Sequence, residues 1–191
     1  MTTDKSLTVA EMSDLRSLVG QTIIELEASP LGRNTYYEKV KIEASDASIV
    51  ISNSFDLADV GYERGRGEEE VGTMRVGPGG GPLVLSDVIA GPESTVVPVG
   101  SRVIGVEVAN DTIEMLRDGE TTNSFKFTQA VIFHLEDCDL VIDRDIWFEV
   151  FVNAFLTADG RRSLRDTGAD WSIGNAEDGY DGVVVREFIT I

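Results

Sequence analysis

The chain has one cysteine, one histidine and four lysines among its 191 residues. A lone Cys138 cannot close an internal disulfide, and a lone His134 leaves no histidine pair for an ordinary zinc site. No apolar run approaches the ~18–20 residues that span a bilayer. The first twenty residues lack the basic-then-apolar layout of a secretory signal. Together these absences predict a cytoplasmic protein with reduced thiol. Several catalytic signatures are missing too. There is no glycine-rich loop ending in Lys-Ser or Lys-Thr, no strand–GxGxxG–helix and no Gly-x-Ser-x-Gly. No cofactor is expected.

Acid dominates what remains. Thirty-four Asp and Glu against sixteen Lys and Arg give a formal charge of −18 and a pI near 4.3. Such a field repels nucleic acid and anionic membranes and attracts cations and basic proteins. It equally suits an acidic surface that keeps a protein solvated in a salty cytoplasm. Hydrophobic residues at 42 % are enough for a core without staples.

Thr8-Val9-Ala10-Glu11 is a capping-box pattern, followed by Val9, Met12, Leu15 and Val19 at helical spacing and by Gly20 as a stop. This predicts one short amphipathic helix over 8–19. Beyond it the apolar period becomes two. Ile24-Glu25-Leu26-Glu27-Ala28 alternates apolar and acidic. Lys39 to Ala44 alternates likewise and leads through a polar turn into Ile49-Val50-Ile51, a hairpin pattern. Residues 57–82 lose all period and are crowded with glycine and charge, which predicts a long mobile connection. Val131 to Leu135 and Leu140 to Ile142 read as a second hairpin. Residues 147–156 are apolar on both parities, 157–182 form a polar excursion, and 183–191 make a closing strand that requires a pairing partner.

The second half echoes the first. Val99-Gly100 and Val103 to Glu107 follow Val19-Gly20 and Ile23 to Glu27 by 80 residues, and the second hairpin follows the first by 91. An internal repeat of 19–56 in 99–147 and two hairpins shaped by the same physics both account for this. The fold expected is mainly β, an antiparallel β-sandwich or strongly bent sheet of roughly nine to twelve strands in one domain over 1–191.

Few residues offer chemistry. By strand parity His134 faces away from Val131, Phe133 and Leu135, as a rim histidine. Cys138 sits among Glu136, Asp137 and Asp139, whose charges would raise its pKa and disfavour a reactive thiolate. Asp143 and Asp145 are two apart on an expected strand, roughly 6–7 Å by strand rise. They are the pair whose spacing suits a hard divalent cation, although a solvated strand end followed by a turn is the reading preferred for them. Arg64 and Arg66 could grip an anion, but Glu68, Glu69 and Glu70 follow and would neutralise them.

The function expected first is non-enzymatic: an acidic binding protein for a basic protein partner, in the manner of an immunity protein or antitoxin. One alternative is a divalent-cation-dependent enzyme or carbohydrate-binding module built on Asp143 and Asp145. Another is a structural domain that self-associates as a homo-oligomer.

Overall fold

The computed structural model describes residues 2–30, 37–58, 69–81, 83, 94–117, 120–144, 151–167 and 181–191. It is mainly β, with strands β1 (Thr2–Lys5), β2 (Thr22–Pro30), β3 (Tyr37–Ala44), β4 (Ser48–Ala58), β5 (Glu69–Pro78), β6 (Thr95–Arg117), β7 (Glu120–Leu135), β8 (Asp139–Arg144), β9 (Val152–Thr157) and β10 (Asp181–Thr190). Two helices join them, α1 (Val9–Arg16) and the single turn α2 (Gly160–Ser163).

The capping box forms as the pattern requires. Thr8 Oγ1 accepts from Glu11 N at 3.3 Å, and Glu11 Oε2 accepts from Thr8 N at 2.8 Å. Gly20 takes φ 88°, the left-handed region that glycine enters without cost. The buried stripe differs from the expected one. Leu15 and Leu18 are buried, whereas Val9 is 81 % exposed. The helix also ends sooner than expected, at Arg16 with Ser17 as its C-cap, and a turn carries the chain on to Gly20.

Two three-stranded meanders form the centre, and they match pair for pair. Ile23↔Ala44, Leu26↔Ile42 and Ala28↔Val40 in β2–β3 have counterparts Val103↔Leu135, Val106↔Phe133 and Val108↔Val131 in β6–β7. Each first strand slips register at the same place, between Ile23 and Glu25 and between Val103 and Gly105. The following turns agree as well: Ala44 N donates to Ala47 O, and Leu135 N to Cys138 O. Gly20 and Gly100, 80 residues apart, both have positive φ. The slip has a consequence for burial. Ile24 and Ile104 are the extra residues and point to solvent, 50 % and 62 % exposed, so the alternation expected from Ile24 through Ala28 starts one residue early.

The bent sheet closes on itself. Going round, β7 pairs β8, β8 pairs β9, β9 meets β3 at Tyr37↔Val152, β3 pairs β2, β2 pairs β6, and β6 returns to β7. All of these contacts are antiparallel; β1 adds a parallel strand to β7. Leu26, Val40, Ile42, Val106, Val108, Val131, Phe133, Leu140 and Ile142 fill the interior. Fully burying each such side chain contributes roughly 1.5–3 kcal/mol.

The long strands run on beyond the ring. β10 pairs β6 over its whole length, so the closing strand has the partner it needed. The far ends of β6 and β7 bury Ile113, Met115, Phe125 and Phe127 against Ala58 and Val71 of β4 and β5. That contact corrects the aperiodic connection expected over 57–82. β4 continues to Ala58, and Glu69–Pro78 is a strand paired with it along ten residues. Val71, Met74 and Val76 are buried there by tertiary packing, although glycine and charge around them hide the period. Residues 59–68, with Arg64 and Arg66, lie outside the described residues, as do 145–150, so the expected strand over 147–156 is seen from Val152 onward.

Candidate functional site

Strand parity puts His134 on the outer face of the ring, as expected, but that face is occupied. His134 pairs with Gly105 across β6–β7 and with Asp139 across β7–β8. Its Nδ1 lies 2.8 Å from Asp139 Oδ1, and its Nε2 lies 3.4 Å from Glu107 Oε2. Arg161 donates to both oxygens of Glu107, at 2.8 and 2.5 Å, and stacks over the Phe188 ring with its guanidinium carbon 4.6 Å from the centroid. Asp139 Oδ2 accepts from Gly160 N at 2.7 Å. The two carboxylates on either side of His134 therefore also fasten the α2 turn to the barrel. The Arg161 hydrogen bond, aided by its charge and by His134, holds the Glu107 carboxyl below the usual carboxylate range, against the upward effect of burial. Nδ1 is held by Asp139, and Nε2 lies within ion-pair reach of Glu107, while the ring itself stays about a third exposed. The arrangement holds a turn in place.

Asp143 and Arg144 end β8 in a second polar group. Asp143 is only 5 % exposed and accepts from Asn153 Nδ2 at 3.0 Å. It is thus no solvated strand end, which corrects that reading; Asp145 lies outside the described residues. Among those residues no group of three His, Cys, Asp or Glu side chains could hold a metal ion. Asp111, wholly buried on β6, accepts from Arg186 Nε at 2.6 Å and Nη2 at 2.7 Å and from the Thr167 hydroxyl at 2.6 Å. Arg144 is 1 % exposed, and none of its three guanidinium nitrogens has a hydrogen bond. Its charge rests on the Phe127 ring, 4.7 Å away, and on the field of Asp111. Burial pushes its pKa down to about 9. Gln129, the extra residue where β7 bulges opposite Ala109 and Asn110, donates to the Arg144 carbonyl at 2.7 Å. Sequence reading missed the roles of Arg144 and Asp111 because their burial and their partners Phe127, Thr167 and Arg186 come from distant parts of the chain.

Cys138 lies in the β7–β8 turn, partly buried against the core at the position Ala47 holds in the first meander. Its thiol is pushed up as expected, but burial is the main cause, with Asp137 and Asp139 adding to it. It behaves as a small apolar residue.

Acid gathers at one end of the barrel. Ser45 N donates to Thr22 O and Glu136 N to Arg102 O, while Thr22 pairs with Arg102 across β2–β6. The two hairpin turns therefore flank the same pair of strands. They expose Asp46 on one side and Glu136 and Asp137 on the other. Arg102 between them donates to Gly20 O at 3.0 Å. Elsewhere many of the described cations pair with acids of the same chain: Lys5 and Arg75 with Asp56, Lys41 with Glu43, Lys126 with Glu187, and Arg162 with Asp159. No described helix is long and apolar enough to cross a membrane. Comparison with family models, with curated proteins and with solved structures gives no match to this chain.

Proposed function

We propose that this protein is a non-enzymatic acidic binding protein whose partner is a protein with a basic surface, met at the barrel end that carries Asp46, Glu136 and Asp137. The observation that supports this reading is the convergence of the two turns on one strand pair. It places three exposed acids, Asp46, Glu136 and Asp137, around one exposed cation among the described residues of that end, Arg102. Like-signed charge at a rim raises the rate of encounter with an oppositely charged partner and makes it salt-dependent. Glu107 and Asp139, the carboxylates beside His134, both hold the α2 turn, which favours a structural role for this cluster over a catalytic one.

The test is capture from native lysate at low and at moderate salt, with wild type beside Asp46→Lys/Glu136→Lys/Asp137→Lys. A basic protein retained by the wild type at low salt, released by moderate salt and lost in the triple variant is expected. The same capture by both proteins would sink the assignment of this end.

A further inference from the structure

Phe133 and Ile142 are fully buried inside the ring, but the packing opens toward the mouth where β2 and the start of β6 face β8 and β9. A cavity of about 200 Å³ remains there. Ala28 and Ala154 supply short side chains at that level, so the opposing walls do not meet. Val97 and Leu156, also in the wall, are 44 % and 51 % exposed, so the cavity opens to solvent along apolar side chains. Among the described residues Tyr37 and Thr95 are the polar members of the lining, and none of the described lining side chains is charged.

Such a space is poorly suited to water. A bound water needs two to four polar partners, and apolar cavities without them stay dry. Water that enters from the open side finds few partners there, so an apolar occupant that displaces it gains contact with the lining. Chemistry restricts the occupant. A charged ligand would lose its hydration and find no counter-charge in the wall, and an anion would also meet the field of a chain with net charge −18. Size restricts it further, since aliphatic cavities of about 150 Å³ take up benzene.

We propose that this cavity is a binding site for a neutral apolar small molecule of about one aromatic ring's size, its body against Ala28, Ala154 and Val97. The Tyr37 hydroxyl and Thr95 are the groups that would orient a single polar substituent. The site stands apart from the acidic barrel end, so either can be wrong without the other.

Indole is the probe, followed on the full chain by ligand-observed NMR and by its effect on the melting temperature. Saturable binding in the millimolar range or tighter is expected, with an increase in melting temperature, whereas the anionic indole-3-carboxylate binds at least tenfold more weakly. Ala154→Leu fills the space: binding falls at least tenfold while the melting temperature stays level or rises. Val97→Thr keeps the volume and adds a hydroxyl to the wall. It is expected to fold and to weaken indole several-fold, so it decides the matter should the leucine variant not fold. Absence of saturable binding to wild type, or wild-type affinity in a folded Ala154→Leu or in Val97→Thr, would overturn the site.

Discussion

Arg144 and Asp111 show how differently two buried charges a few residues from a strand end can be treated. Asp111 has three short hydrogen bonds, whereas Arg144 has an aromatic ring and a field. Removing a partner from a buried ion pair is costly, while replacing an unsatisfied charge by an apolar group of similar volume is often neutral or favourable. Asp111→Asn is therefore expected to lose about 3–5 kcal/mol of stability, because Arg186 keeps its charge and loses its counter-ion. Arg144→Met is expected to cost nothing or to gain about 1–4 kcal/mol. Urea melts of the two variants separate these outcomes, and a large loss in Arg144→Met would assign the guanidinium a positive structural role. Glu107 brings a pH dependence. Its folded pKa lies below the usual 4.5, so its stabilisation is complete above that value and is lost as pH falls through the folded one. Glu107→Gln should melt below wild type at pH 7, with the gap closing as pH drops under about 4. A gap of constant size across that range would place its cause elsewhere.

At the level of elements, two short pieces depend on single residues. α1 is eight residues long, too short to hold without its cap and its packing. Glu11 completes the capping box with one oxygen and accepts from Val76 N of β5 with the other, at 3.2 Å. Thr8→Ala should cost about 1 kcal/mol, read as a lower denaturation midpoint with an unchanged slope. α2 sits so close to the barrel that a β-carbon on Gly160 would lie 2.6 Å from Ile132 Cγ2 and 3.1 Å from Asp139 Oδ2. Gly160→Ala should cost about 1–3 kcal/mol by forcing the turn outward. It should also raise amide exchange at 160–164, and unchanged exchange there would contradict so tight a contact. The capping box could be read from four letters. The α2 contact could not, since it joins residues 28 positions apart across three elements.

Across the whole molecule, the two meanders share register and bulge while their outer faces differ. Where α2 and β10 cover the second meander, Ala130, Ile132 and Val141 are apolar and buried with Leu164. The places matching Ala130 and Ile132 in the first meander are Lys39 and Lys41, and there the side chains are only partly buried. Inner positions stay apolar in both, and covering decides the rest. Net charge also acts at this scale. Repulsion among the unpaired acids of a −18 chain opposes compaction. The melting temperature should accordingly rise by several degrees as the Debye length falls from about 30 Å at 0.01 M NaCl to 3 Å at 1 M. A flat or falling curve would show that the ion pairs, which salt weakens, outweigh the repulsion.

Local chemistry was enough to determine the mainly β fold, the N-terminal helix with its N-cap, both hairpins, the parity of His134 and the raised thiol of Cys138. Each follows from spacing or from neighbours within a few residues. Tertiary structure decided what depends on partners far along the chain. It closed the bent sheet through β6, placed β5 inside a glycine-rich stretch, and turned Ile24 outward by a one-residue slip. It also drew Asp143 out of solvent beside Asn153, and set Arg144 against Phe127 and within the field of Asp111. Burial is a property of the assembled layers: the same alternation that predicts a strand cannot say which face another layer will cover.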